Sequence, residues 1–169
     1  THTRTRTHTH TLSRSLHRWR LVGKTALVTG ATKGIGAAVA DELARLGARV
    51  VVVARTQADV DAKVEQLVAL HGAGAAIGCV ADLSTEAGRE DVVAFVNARV
   101  GQALDILINN VGFNIRKRTT EYTDEEVAAI INTNMMSFFH LTRFAVLCRL
   151  ARLHLHHSFT HSLLHSFTP

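Results

Sequence analysis

The sequence predicts an α/β fold, a doubly wound parallel sheet that stops after the helix following its fourth strand. Three observations point there. Short apolar strands alternate with amphipathic helices along residues 21–150, one strand is a run of four valines, and a glycine-rich turn joins the first strand to the first helix.

Each element follows in chain order. Thr25 to Thr29 (TALVT) is a short apolar strand, and the turn after it opens a helix in which Ile35, Val39, Leu43 and Leu46 recur at helical spacing until Gly47 ends it. Arg49 to Ala54 contains the four valines, β-branched and stiff, as in a strand covered on both faces. Val60, Val64 and Leu67 mark a second helix, Ala75 to Val80 is a weaker third strand, and Val92, Phe95, Val96 and Val100 mark a third helix. Leu104 to Ile108 (LDILI) is the fourth strand. This βαβαβαβ series requires a parallel sheet with helices on both faces, because each right-handed crossover returns the chain to the same sheet. A last helix starts near Thr123, where Thr123 and Glu126 have the spacing of a capping box and Asp124 and Glu125 complement the positive helix end. Its apolar stripe is Val127, Ile130, Ile131, Met135 and Phe138, and it runs to about Leu150.

Composition narrows the function classes. A chain of 169 residues, 47% hydrophobic and 20% charged, has an ordinary globular balance, which excludes a wholly disordered protein. No apolar run approaches the roughly 18 to 20 residues of a membrane helix, so no membrane partner is expected. The net charge of +5 is lopsided: residues 1–20 carry five Arg and no acid, whereas residues 21–150 carry thirteen Lys or Arg against fourteen Asp or Glu. The high charge therefore belongs to an appendage, and no nucleic-acid partner is expected. Cys79 and Cys148, far apart in sequence, suggest reduced thiols more than a disulfide scaffold.

Both ends depart from the pattern. Residues 1–20 form a low-complexity leader, expected to be disordered, in which Thr alternates with His or Arg as a repeated adenine–cytosine dinucleotide would translate. The same Ser/Thr- and Arg-rich, acid-free composition also fits an organelle transit peptide, which leaves plastid or mitochondrion open beside a default cytoplasmic location. Residues 151–169 form a His/Ser/Leu-rich tail. Its histidines lack the Cys partners and orienting groups of a structural zinc site, and no metal is expected.

The most informative stretch is Thr29 to Gly36, TGATKGIG, between the first strand and first helix. Gly30 permits a tight turn, Gly34 lets backbone approach a pyrophosphate, and Gly36 lets the helix pack closely, while free amides at the helix start attract negative charge. A phosphate loop of the ATPase type would need Lys and Ser or Thr after the last glycine, where Ala37 and Ala38 stand. With Asp82 after the third strand and NNVG (Asn109 to Gly112) after the fourth, the chain resembles the short-chain dehydrogenase/reductase family over about residues 21–147. NNVGFNIRKRTTEYT (Asn109 to Thr123) and TNMMSFFHL (Thr133 to Leu141) are similar to its tropinone-reductase-like members. The resemblance implies a Rossmann-type NADP-binding domain at residues 21–150. It also implies coenzyme contacts from Thr29, Gly30, Lys33, Gly34, Ile35, Gly36, Arg55, Asp82, Leu83, Asn109, Val111 and Gly112, with Asp82 at the adenine and Asn109 along the coenzyme channel. Asn134 would be the helix Asn of the family's catalytic tetrad, the substrate a small-molecule carbonyl, and the 123–150 helix the face of a homo-oligomer.

The choice of coenzyme has an electrostatic argument of its own. An acid at the end of the second strand would bond an adenosine ribose and repel a 2′-phosphate, but that position is Arg55, and Lys33 supplies a second cation nearby. NADP is favoured over NAD. The family's catalytic Tyr-x-x-x-Lys is absent: the sole tyrosine, Tyr122, is followed four residues on by Glu126 and precedes the Asn134 helix rather than following it. Expected functions are therefore NADPH-dependent ketone reduction in a complete relative with this chain inactive alone, a noncatalytic nucleotide-binding or interaction module, or a mistranslated fragment.

Overall fold

The computed structural model describes residues 20–101 and 104–149 of the chain. The expectations for the 1–20 leader (apart from Arg20) and the 151–169 tail lie outside the described residues. Four strands, β1 (Thr25–Thr29), β2 (Arg49–Ala54), β3 (Ala76–Val80) and β4 (Leu104–Ile108), form one parallel sheet in the order β3-β2-β1-β4. Between them run α1 (Gly34–Arg45), α2 (Gln57–His71) and α3 (Glu86–Arg99). After β4 come a single 3₁₀ turn at Thr119–Glu121, helix α4 (Asp124–Ile131), a π-turn at Asn132–Met136 and a further helix, α5, at 137–149. The expected α/β sheet is present, with β1 neighbouring both β2 and β4.

Strand alternation builds two cores. Val28, Val50 and Val52 face α1 and α2, meeting Ala40, Ala44, Val60 and Leu67, whereas Leu27, Val51 and Val53 face the other way, meeting Val92 and Val96 of α3 and Leu141 of α5. All four valines of β2 have no solvent exposure, and each such side chain contributes about 1.5–3 kcal/mol relative to leaving it in water.

Two expected helical stripes differ from the observed ones. In α1 the residues against the sheet are Gly36, Ala40 and Ala44, while Ile35 is 78% exposed and Val39, Leu43 and Leu46 are only partly covered. Small side chains let the helix axis lie near the strands, and that close approach sets the rotation of the helix. Beyond Thr123 the inversion is larger: Val127, Ile131, Met135 and Phe138 are exposed, and the buried positions are Thr133, Ser137, Leu141 and Cys148. The capping box at its start is as expected, with the Thr123 hydroxyl accepting from the Glu126 amide at 3.3 Å and the Glu126 carboxylate accepting from the Thr123 amide at 2.9 Å. Among the described residues no helix is long and apolar enough to cross a membrane.

Candidate functional site

Sheet order locates the site. Loops leaving the carboxyl ends of β1 and β4 diverge to opposite faces, and the gap they leave is where open parallel sheets hold ligands. A crevice of about 660 Å³ opens there, bounded by the glycine-rich turn, the end of β2, the Ala81–Ser84 turn and the segment after β4.

The first wall is fixed by buried polar groups. The Thr29 hydroxyl, at 1% exposure, donates to the Ile108 carbonyl at 3.3 Å and accepts from the amides of Asn110 at 2.9 Å and Val111 at 3.1 Å. Asn110 Nδ2 in turn donates to the carbonyls of Thr29 at 3.0 Å and Gly30 at 3.2 Å. The Gly30 amide donates to the Val53 carbonyl at 2.8 Å, so the ends of β1, β2 and β4 converge on one turn. A Cβ on Gly36 would lie 2.2 Å from the Gly30 carbonyl oxygen, which explains why the helix can start so close to the turn. Gly34 differs: its φ of +57° disfavours other residues, and a Cβ there would meet nothing within 4 Å. Among the described residues nothing crowds that position. The start of α1 also has no side-chain cap and no acid in its first turn, leaving its amides and the positive helix end open to an anion.

The second wall is the end of β2, where Arg55 and Thr56 border the crevice with Lys33 and Asp59. Lys33 Nζ pairs with Asp59 Oδ2 at 2.9 Å. Arg55 and Gly30 line the same crevice, and Lys33 has in Asp59 a carboxylate partner that its sequence neighbours do not suggest.

The third wall is a turn held by its own side chains. Asp82 Oδ1 accepts from the Ser84 amide at 3.0 Å, and the Asp82 carbonyl accepts from the Thr85 hydroxyl at 3.0 Å. Arg89, buried on α3, donates to the carbonyls of Leu83 at 3.0 Å and Ser84 at 3.2 Å. Burial works to raise the Asp82 carboxyl, but the Ser84 bonds and the nearby Arg55 guanidinium outweigh it and hold the group below its ordinary range. It is a carboxylate at neutral pH.

The fourth wall joins Asn110–Phe113 to Ala129 and Thr133. Asn134, in the middle of the π-turn, accepts from the Phe113 amide through Oδ1 and donates to the Phe113 carbonyl through Nδ2, each at 2.9 Å. The Thr133 hydroxyl beside it is buried without a hydrogen-bond partner, a polar group that a ligand in the crevice can satisfy.

Of the residues singled out from sequence, Gly30, Lys33, Arg55, Asp82, Leu83, Val111 and Gly112 line the crevice. Thr29 and Gly36 lie beneath it as supports, and Gly34 and Ile35 stand exposed at the helix start. Asn109 turns away, donating to the Thr142 hydroxyl at 3.1 Å. The side chain that enters the turn is its neighbour Asn110, because successive residues of extended backbone point to opposite sides. Tyr122 donates its hydroxyl to the Ile115 carbonyl, and Lys117 lies 5.4 Å from its ring centroid and pairs with Glu126, so this tyrosine braces the loop. Asp59, Thr133, Phe113 and Arg89 escaped the sequence reading.

These features have counterparts in known proteins. The short chain dehydrogenase family profile matches residues 24–151. A tropinone reductase homolog of Arabidopsis thaliana is 46% identical over 128 residues, 76% of this chain and 48% of that protein. A chloroplastic tropinone reductase homolog of the same plant is 41% identical over 132 residues, 78% of this chain and 40% of its own length. An L-sorbose reductase from Gluconobacter frateurii, solved with NADPH and L-sorbose, superposes with a TM-score of 0.75 at 30% identity, covering 79% of this chain and 50% of that one. The chain spans about half the length of the curated relatives it matches.

Proposed function

The chain belongs to the short chain dehydrogenase family, and on that premise we propose that it carries the NADP-binding half of a carbonyl reductase that acts on a small ketone. The single observation that supports this best is the crevice at the β1/β4 divergence, where uncapped amides of α1 lie near the cations Lys33 and Arg55. Gly30, Gly34 and Gly36, with Thr29 and Ile35, serve the pyrophosphate. Arg55 and Lys33 receive the 2′-phosphate. Asp82 and Leu83 border the adenine, and Val111 and Gly112 form the channel for the nicotinamide half, with Asn109 bracing it from behind through Thr142. NADPH, when bound, supplies hydride. Asn134 serves as the helix asparagine of the reaction by fixing the Gly112–Phe113 loop, with a proton-relay water as its partner.

The proton donor is another matter. No Tyr-x-x-x-Lys exists in the 169 residues, and the Tyr122 hydroxyl is occupied by Ile115. These residues alone therefore bind NADPH and do not reduce ketones. Titration calorimetry tests the first half: heat of NADPH uptake is expected, and Arg55→Glu lowers NADPH affinity far more than NADH affinity. Equal losses for both coenzymes refute the assignment, and NADPH oxidation with a small ketone by the pure chain refutes the inactivity.

A second reading, a noncatalytic interaction module, is favoured by the exposed Met135, Phe138 and Phe139, which also form the surface for a homo-oligomer. The compartment is the cytoplasm, or a plastid or mitochondrion if residues 1–20 act as a transit peptide.

A further inference from the structure

The ion pair between Lys33 and Asp59 spans the mouth of the crevice from the glycine-rich turn to the first turn of α2. Asp59 stands third in that helix, where the positive helix end stabilises a carboxylate, and it faces the crevice beside Arg55 and Thr56. Its neighbour Asp61 carries the same charge two residues on but is engaged by Gln57 Nε2 at 2.8 Å and does not line the crevice. One acid of the two thus looks into the cationic corner.

This placement has an electrostatic cost for a phosphorylated ligand. An ammonium already sharing its donors with a carboxylate must release that partner, or share further, to meet a second anion. The carboxylate itself repels any phosphate brought beside Arg55. An exposed ion pair is weak enough to open, so the acid tempers binding without abolishing it.

Resting on the reading of Arg55 and Lys33 as the 2′-phosphate cations, we propose that Asp59 is a specificity residue acting against NADP(H). It holds Lys33 in the free crevice and opposes the 2′-phosphate, so the preference for NADPH over NADH is smaller than Lys33 and Arg55 would set without it.

Titration calorimetry on the 169-residue chain tests this with NADPH and NADH as the probes. Asp59→Asn, which keeps size and removes charge, is expected to tighten NADPH binding about three- to tenfold and leave NADH unchanged. Lys33→Met weakens NADPH, and the Lys33→Met/Asp59→Asn pair returns toward the starting affinity. Asp61→Asn, an equal change of net charge outside the crevice, leaves both coenzymes unaffected. Weaker or unchanged NADPH binding in Asp59→Asn, with Arg55→Glu still selective, overturns the role of Asp59 alone. An equal gain in Asp61→Asn overturns it as well, since the effect is then one of overall charge. Insensitivity of NADPH binding to Arg55→Glu and Asp59→Asn together removes both this inference and the reading beneath it.

Discussion

Along β2, Val50 to Val53 alternate between two helical layers and none is exposed, whereas from Thr123 onward Met135, Phe138 and Phe139 are each more than half exposed and the buried positions include Thr133 and Ser137. The two regions have similarly apolar sequences. What separates them is coverage: β2 has helices of the same chain on both faces, while the 124–149 segment meets the core through Leu141, Phe144 and Ala145 and leaves Met135, Phe138 and Phe139 outside. An apolar pattern therefore names the buried face only where neighbours from the chain itself complete the packing. Where they do not, polar groups such as Thr133 and Ser137 take the inner side, and Thr133 borders the crevice.

The largest expected effect is at the turn that bonds to the end of β2. Gly36→Val places carbon into the Gly30 carbonyl and the Asn110 amide, and is expected to cost about 3 kcal/mol or more in urea unfolding. Next, Leu27→Ala in the covered core is expected to cost about 2–4 kcal/mol, whereas Phe138→Ser on the uncovered helix stays within about 0.5 kcal/mol. Comparable losses at the two sites would mean that the helix face is covered in solution. Thr29→Val leaves the Asn110 and Val111 amides without their acceptor and is expected to cost about 1–3 kcal/mol.

Alkaline pH probes the same core. Burial, with Asp91 nearby, pushes the Cys79 thiol up to about 11. The folded value lies above the unfolded one near 9, so the neutral thiol's stabilisation is complete below about pH 9 and is lost as pH rises toward 11. Cys79→Ala should flatten that decline in unfolding measured from pH 8 to 11. Smallest of all, Thr133→Val removes a hydroxyl that has no partner and should leave the stability of the free protein unchanged or slightly higher.

The strands were legible from sequence because buried parallel strands read as unbroken apolar runs, and β1, β2 and β4 have the bounds expected of them. Thr29 to Gly36 could be placed at the crevice because backbone geometry at that turn dictates glycine. The charged corner was half legible. Arg55 and Lys33 are visible as cations, but the carboxylate of Asp59 reaches Lys33 across 26 residues, and only the packing of α2 beside the turn brings them together. Asn109 and Asn110 are likewise alike in sequence, and strand orientation alone separates a helix tether from the clamp on the turn. The stripe after Thr123 misled because periodicity reports a face without saying whether anything covers it.

The clamp between Thr29 and Asn110 joins residues 81 positions apart. The first three strands can pair with their sequence neighbours while the chain is still growing, but the walls of the crevice meet only after β4 has emerged and closed that long loop. During synthesis the crevice therefore forms late and abruptly, and a nascent chain halted short of Gly112 would have most of its sheet and no pocket.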